Sequence, residues 1–173
     1  PALATAELLL EIAEMSVPAK KTKKLSPAAR LTELTNLLTA IGKAQAVIEF
    51  EMDGTIITAN ENFVNAVGYT LAEIQGKHHS MFVEESLKHS AEYREFWARL
   101  GRGENLPGEY RRVGKGGKMI TIQASYNPIA DAKGKLVKVV KFASDVTEMA
   151  KSREEAARIS SMMEQAPINV MFA

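Results

Sequence analysis

The sequence predicts an α+β domain: a five-stranded antiparallel sheet with short helices on one face, flanked by N- and C-terminal helices. Three observations carry this. Two β-prone runs, 47–52 and 55–59, meet at Asp53-Gly54, a dipeptide suited to a tight hairpin. The stretch from Asn60 to about Gly101 reads as helical pieces punctuated by glycine. Three more strand-like runs follow, at 107–113, 119–126 and 136–144, joined by turns too short for parallel crossovers.

Taken in order, residues 1–25 predict a short helix and a basic linker. Leu8, Leu9, Ile12 and Met15 recur at helical spacing, after which Pro18 and four lysines break the pattern. Residues 26–45 predict an amphipathic helix opened by Ser26-Pro27, with Leu31, Leu34, Leu38 and Ile41 on one stripe and Leu37 beside it. Such a stripe buries against the domain's own sheet or against a second copy of the helix. The domain proper is expected over 46–147. Within it, Gly68 stops a helix carrying Phe63, Val64 and Val67, and Thr70 with Glu73 has capping-box spacing. A longer helix carries Tyr93, Phe96, Trp97 and Leu100 on one face. In the strand at 119–126, Ile120, Ile122, Ala124 and Tyr126 alternate with Met119, Thr121, Gln123 and Ser125, so its two faces differ. Alternation alone leaves open which face is inward; Gln123 and Ser125 are the polar candidates for an interior pocket. Asp145 and Glu148 have capping spacing ahead of a helix over 148–165, and Pro167 ends it before a β-like run at 168–173.

Composition bounds the function. Of 173 residues, 46% are hydrophobic and 25% charged, a globular balance, and the net charge of +1 supplies no field for nucleic acid. The absence of cysteine excludes disulfides, zinc–thiolate sites, iron–sulfur clusters and a flavin–cysteinyl adduct, and it suits a cytoplasmic location. No apolar run approaches the ~20 residues of a membrane span. No nucleophile–base pairing, His-Glu-x-x-His spacing or phosphate-cradling loop is present. Gly114-Lys115-Gly116-Gly117 joins two strands rather than opening a helix. The expectation is a binding module, not an enzyme.

Several segments then occur in a telling order. They are Ile48-Glu49-Phe50 with Asp53-Gly54, Ala59-Asn60-Glu61-Asn62-Phe63, Gly68-Tyr69-Thr70 and Glu73-Ile74-Gln75-Gly76-Lys77. After them come Phe96-Trp97-Ala98-Arg99-Leu100, Tyr110-Arg111-Arg112, Ala124-Ser125-Tyr126-Asn127-Pro128 and Asp145-Val146-Thr147. Together these resemble the PAS family over residues 46–147. His78-His79-Ser80-Met81-Phe82, Glu92-Tyr93-Arg94-Glu95-Phe96-Trp97 and Gln123-Ala124-Ser125-Tyr126-Asn127-Pro128 are similar to the PAS domains of bacterial methyl-accepting chemotaxis proteins. Residues 164–173 resemble the opening of a second PAS domain.

The resemblance implies a sensory, signal-transducing module with a cavity between sheet and helices that holds haem b, FAD or no cofactor. For haem it implies an axial histidine, His89 first and His79 as the alternative. For flavin it implies Trp97 beside the ring together with Asn60; Gln123 and Asn127 are further cofactor-binding candidates whichever group is bound. However, Arg112 stands where flavin-binding relatives have asparagine, and Val83 where they have arginine. It further implies a homodimer, signal transfer through Asp145 and Thr147, and a chemotaxis kinase and coupling protein as partners of output regions beyond these residues. A histidine kinase or cyclic-dinucleotide enzyme as the output, or a ligand-free dimerisation role, are the other readings.

Overall fold

The computed structural model describes residues 26–165; the expectations for 1–25 and 166–173 lie outside them. The chain divides into two units, 1–38 and 39–173. Helix α1 (Pro27–Ala44) runs through the division. In the first unit, Ser26 Oγ accepts from Ala29 N–H at 3.2 Å, as the Ser-Pro helix start predicts. Leu31, Leu34, Leu37 and Leu38 are exposed.

The second unit contains strands β1 (Ala46–Phe50), β2 (Ile56–Ala59), β3 (Leu106–Val113), β4 (Met119–Ala130) and β5 (Leu136–Asp145). They form one antiparallel sheet in the order β2-β1-β5-β4-β3. Between β2 and β3 lie α2 (Glu61–Val67), α3 (Leu71–Ile74), a 3₁₀ turn (His79–Phe82), α4 (Glu85–Lys88) and α5 (Ala91–Gly101). Helix α6 (Thr147–Gln165) follows β5. The core is the layer between the inward sheet face and these helices, where Ile48, Phe50, Ile74, Phe82, Leu100, Tyr126 and Val139 are buried.

Local chemistry explains the boundaries. At Asp53-Gly54 only the glycine takes a positive φ, +91°; the aspartate instead accepts the Thr55 N–H at 2.8 Å. The hairpin is therefore wider than a two-residue turn with both residues left-handed. Gly68 closes α2 with φ +77°. Glu73 Oε2 accepts from both the N–H and the hydroxyl of Thr70. Ser90 caps α5 by accepting from Tyr93 N–H at 3.0 Å. The alternation left open in β4 is settled: Ile120, Ile122, Ala124 and Tyr126 face inward, and Gln123 faces out.

The β3–β4 turn rests directly on the end of α2. A Cβ at Gly114 would lie 2.6 Å from the Val67 carbonyl oxygen, a backbone atom with little freedom to move. Gly114→Ala should therefore lower the unfolding free energy by about 1–3 kcal/mol, as overpacking does. Urea denaturation measures this, and an unchanged midpoint would mean that the turn does not bear on α2.

Candidate functional site

The sheet's concave interior carries an unusual set of polar groups. The described buried polar and charged residues are His79, Arg112 and Lys141. His79 opens the 3₁₀ turn, which its neighbour His78 caps: His78 Nδ1 accepts from Ser80 N–H at 3.1 Å, and its Nε2 bonds the Asp53 carbonyl at 2.9 Å. With His78 held outward, His79 points into the core. Its Nδ1 lies 2.8 Å from Tyr93 Oη and its Nε2 3.1 Å from Tyr126 Oη. Tyr126 Oη also accepts from Arg112 Nη2 at 3.1 Å.

A guanidinium only donates, and one polarity consistent with that runs along the whole chain. Arg112 donates to Tyr126, Tyr126 to His79 Nε2, and His79 Nδ1–H to Tyr93. Burial, then the positive charges of Arg112 and Lys141, holds the His79 pKa well below the usual histidine range, so the ring is neutral. Burial likewise raises the Tyr126 and Tyr93 hydroxyl pKa values. Around this chain stand Phe50, Phe96, Trp97 and Tyr110; Phe96 meets Tyr126 edge-on at 4.9 Å.

Lys141 is 2% exposed and Arg112 5%. The Lys141 ammonium lies 5.0 Å from the Tyr126 ring centre and 5.3 Å from that of Phe63. Burial, then Arg112, pushes its pKa well below the lysine range. The gap that both residues border, with Phe63, Val67, Phe82 and Ile122, has a volume of about 10 Å³.

The structure separates the residues that the sequence singled out into interior and outer ones. His79 is the interior histidine. His89, the first choice as a haem ligand, has a side chain 88% exposed, because it follows α4 at the surface and lies against Glu85. Gln123 lies on the outward sheet face. Asn127 folds onto its own sheet, donating to the Ser125 and Val140 carbonyls, and lines an outward groove with Ile41, Gln45 and Phe142. Asn60 is a structural staple: its Oδ1 accepts from Val47 and Phe63 N–H, and its Nδ2 donates to the Gly42 and Gln45 carbonyls. Trp97 does reach the interior cluster, 5.5 Å from the His79 ring, with its buried indole N–H unpartnered among the described residues. Arg112 and Lys141 were missed as interior groups. Their signal is a cation at a strand position whose alternation makes it inward, Arg112 opposite Ile120 and Lys141 opposite Ile48 and Tyr126.

Neither implied cofactor fits this interior. Pockets for such groups run to several hundred Å³, whereas this gap holds roughly one water. Both ring nitrogens of His79 are already engaged, so none is left to meet iron. Among the described residues no cluster of three or more His, Cys, Asp or Glu could hold a metal ion. No helix among them is long and apolar enough to cross a membrane.

At the sheet's edge, Thr147 begins α6 and bonds back to the sheet. Its Oγ1 accepts from Thr121 N–H of β4 at 3.0 Å and donates to Asp145 Oδ1, which also takes the Thr147 N–H at 2.9 Å. Glu148 pairs with Lys151 rather than closing a capping box with Asp145.

The neutral state of His79 has a pH consequence. Below the unfolded pKa of 6.5 the unfolded chain takes up a proton that the folded chain refuses, so stability falls with pH. Between pH 6.5 and 5.0 this loss should reach about 2 kcal/mol. His79→Gln should lack that increment in paired urea titrations, and identical slopes in both proteins would refute the assignment.

Comparison with known proteins bears on this arrangement. The family model described as PAS fold matches residues 56–143. The biofilm dispersion protein BdlA of Pseudomonas aeruginosa is 44% identical over 116 residues, 67% of this chain and 28% of that protein. The match thus spans little more than a quarter of its relative. An RNA-binding Light-Oxygen-Voltage receptor superposes with a TM-score of 0.65 at 20% identity, covering 86% of this chain and 42% of that one. A PAS domain from Colwellia psychrerythraea gives 0.58 at 20% identity, covering 67% and 98%. At that identity the structural likenesses establish the fold alone. With the family model matching half the chain and the sheet order found above, this chain belongs to the PAS-fold family of sensory domains.

Proposed function

We propose that this PAS domain is the input module of a cytoplasmic chemoreceptor, reading a small ligand in its interior and signalling through α6. One observation carries the reading: the buried polar chain is built on β4, the strand that also holds the exit helix. Tyr126 anchors the interior network, and five residues earlier Thr121 binds Thr147 in the first turn of α6. A ligand that alters the Tyr126 environment shifts the domain only as far as it binds one arrangement of β4 better than another. The module performs no catalysis itself. The chemotaxis kinase and coupling protein engage output regions outside these residues.

The exposed leucines of α1 support a homodimer in which this helix pairs with its counterpart in a second copy. The packed interior favours a small ligand over haem or flavin.

Two measurements test this reading. The purified chain should be colourless, and a stoichiometric Soret or flavin absorption would overturn the small-ligand assignment. Thr147→Val removes the acceptor for Thr121 N–H, so it should cost about 0.5–1.5 kcal/mol and speed amide hydrogen exchange in the first turns of α6. Unchanged exchange there would eliminate the β4–α6 route.

A further inference from the structure

We infer that Arg112 and Lys141 form an interior anion-binding site for one small negative group, either a free halide or the carboxylate end of a small organic acid. This deepens the sensing reading above by naming the ligand's chemistry, and it rests on that reading only for its biological use.

Arg112 enters from β3 and Lys141 from β5, and both border the same enclosed gap. The guanidinium is partly used: Nη1 donates to the Arg111 carbonyl and Nη2 to Tyr126, while Nε is buried without an acceptor. The Lys141 side-chain nitrogen lies over the faces of the Phe63 and Tyr126 rings. Among the described residues neither side chain makes an ion pair, and no described carboxylate is buried. Asp145 reaches the rim of the gap, but it is exposed and its Oδ1 is held by the Thr147 backbone and hydroxyl.

Burying charge without an opposite partner is costly, and a guanidinium cannot escape by losing its proton. An anion in the gap would supply what the fold omits. Apart from Asp145 at the rim, its other walls, among them Phe63, Val67, Phe82 and Ile122, are apolar, and a low-dielectric lining strengthens the attraction. Their tightness sets the size limit. About 10 Å³ is the room of roughly one water, which suits a single compact group.

The test is the thermal midpoint of the full chain in sodium chloride or sodium acetate from 5 to 200 mM. Sodium isethionate, too bulky for the gap, keeps ionic strength constant. The wild type should gain about 3–6 °C per tenfold rise in the binding anion once sites begin to fill. A response to chloride alone identifies a halide site, and one to acetate identifies a carboxylate site. Lys141→Met should fold without the anion dependence; Arg112→Gln serves as the second variant should the first fail to fold. A wild type that responds to neither anion overturns the site, as does an equal rise in the folded variant. Such a failure leaves the sensing reading to its own tests, because this assay reads occupancy and involves no signalling.

Discussion

The hydroxyl of Tyr126 is the joint on which the interior turns. It lies on the central stretch of β4, is fully buried, and accepts from Arg112 while bonding His79. Through His79 it reaches Tyr93 on α5, so one oxygen links the β3 edge of the sheet to the helical layer. Buried polar groups are costly unless paired, and the linked side chains of Tyr126, His79 and Tyr93 restrict the arrangement of the residues around them. That is why the aromatic residues about it, Phe50, Phe96 and Trp97, occupy fixed positions in the core.

The same interior is unbalanced in charge. Among the described residues neither the Arg112 guanidinium nor Lys141, whose charged form burial disfavours, has a buried carboxylate to answer it, and burial together with their proximity holds the histidine neutral. A core selected for stability alone would place apolar residues at these strand positions, since replacing buried charge with packed hydrocarbon is neutral or favourable. Retaining an arginine and a lysine there is a chemical preference for something negative. The tight packing that excludes haem and flavin would also make such a site selective for size.

The outer elements are organised by different forces. On the outward sheet face, Ser125 and Asn127 bond one another beside the end of α1, and Asn60 fastens that end of α1 to β1. At the other end of β4, Thr147 joins the exit helix to the strand with hydrogen bonds of ordinary length. Interior, sheet and exit helix are therefore connected by directional hydrogen bonds.

Local chemistry made much of this legible in the residues. Periodicity and glycine placement determined the two-plus-three strand order, the helical middle and the element ends, because each depends on neighbours within a few positions. His79 and Trp97 were identifiable as interior candidates, and Thr147 as the junction. What the residues alone left open was which face of β4 turned inward, since alternation has two phases and only packing against the helices chooses between them. That choice sent Gln123 outward and brought Arg112 and Lys141 in. It also took the tertiary fold to separate His79 from His89: two histidines ten positions apart differ by the direction in which a short turn releases each side chain. The Asn60 staple was equally out of reach, because its partners lie up to 18 residues away, at the end of the helix that leads into the first strand.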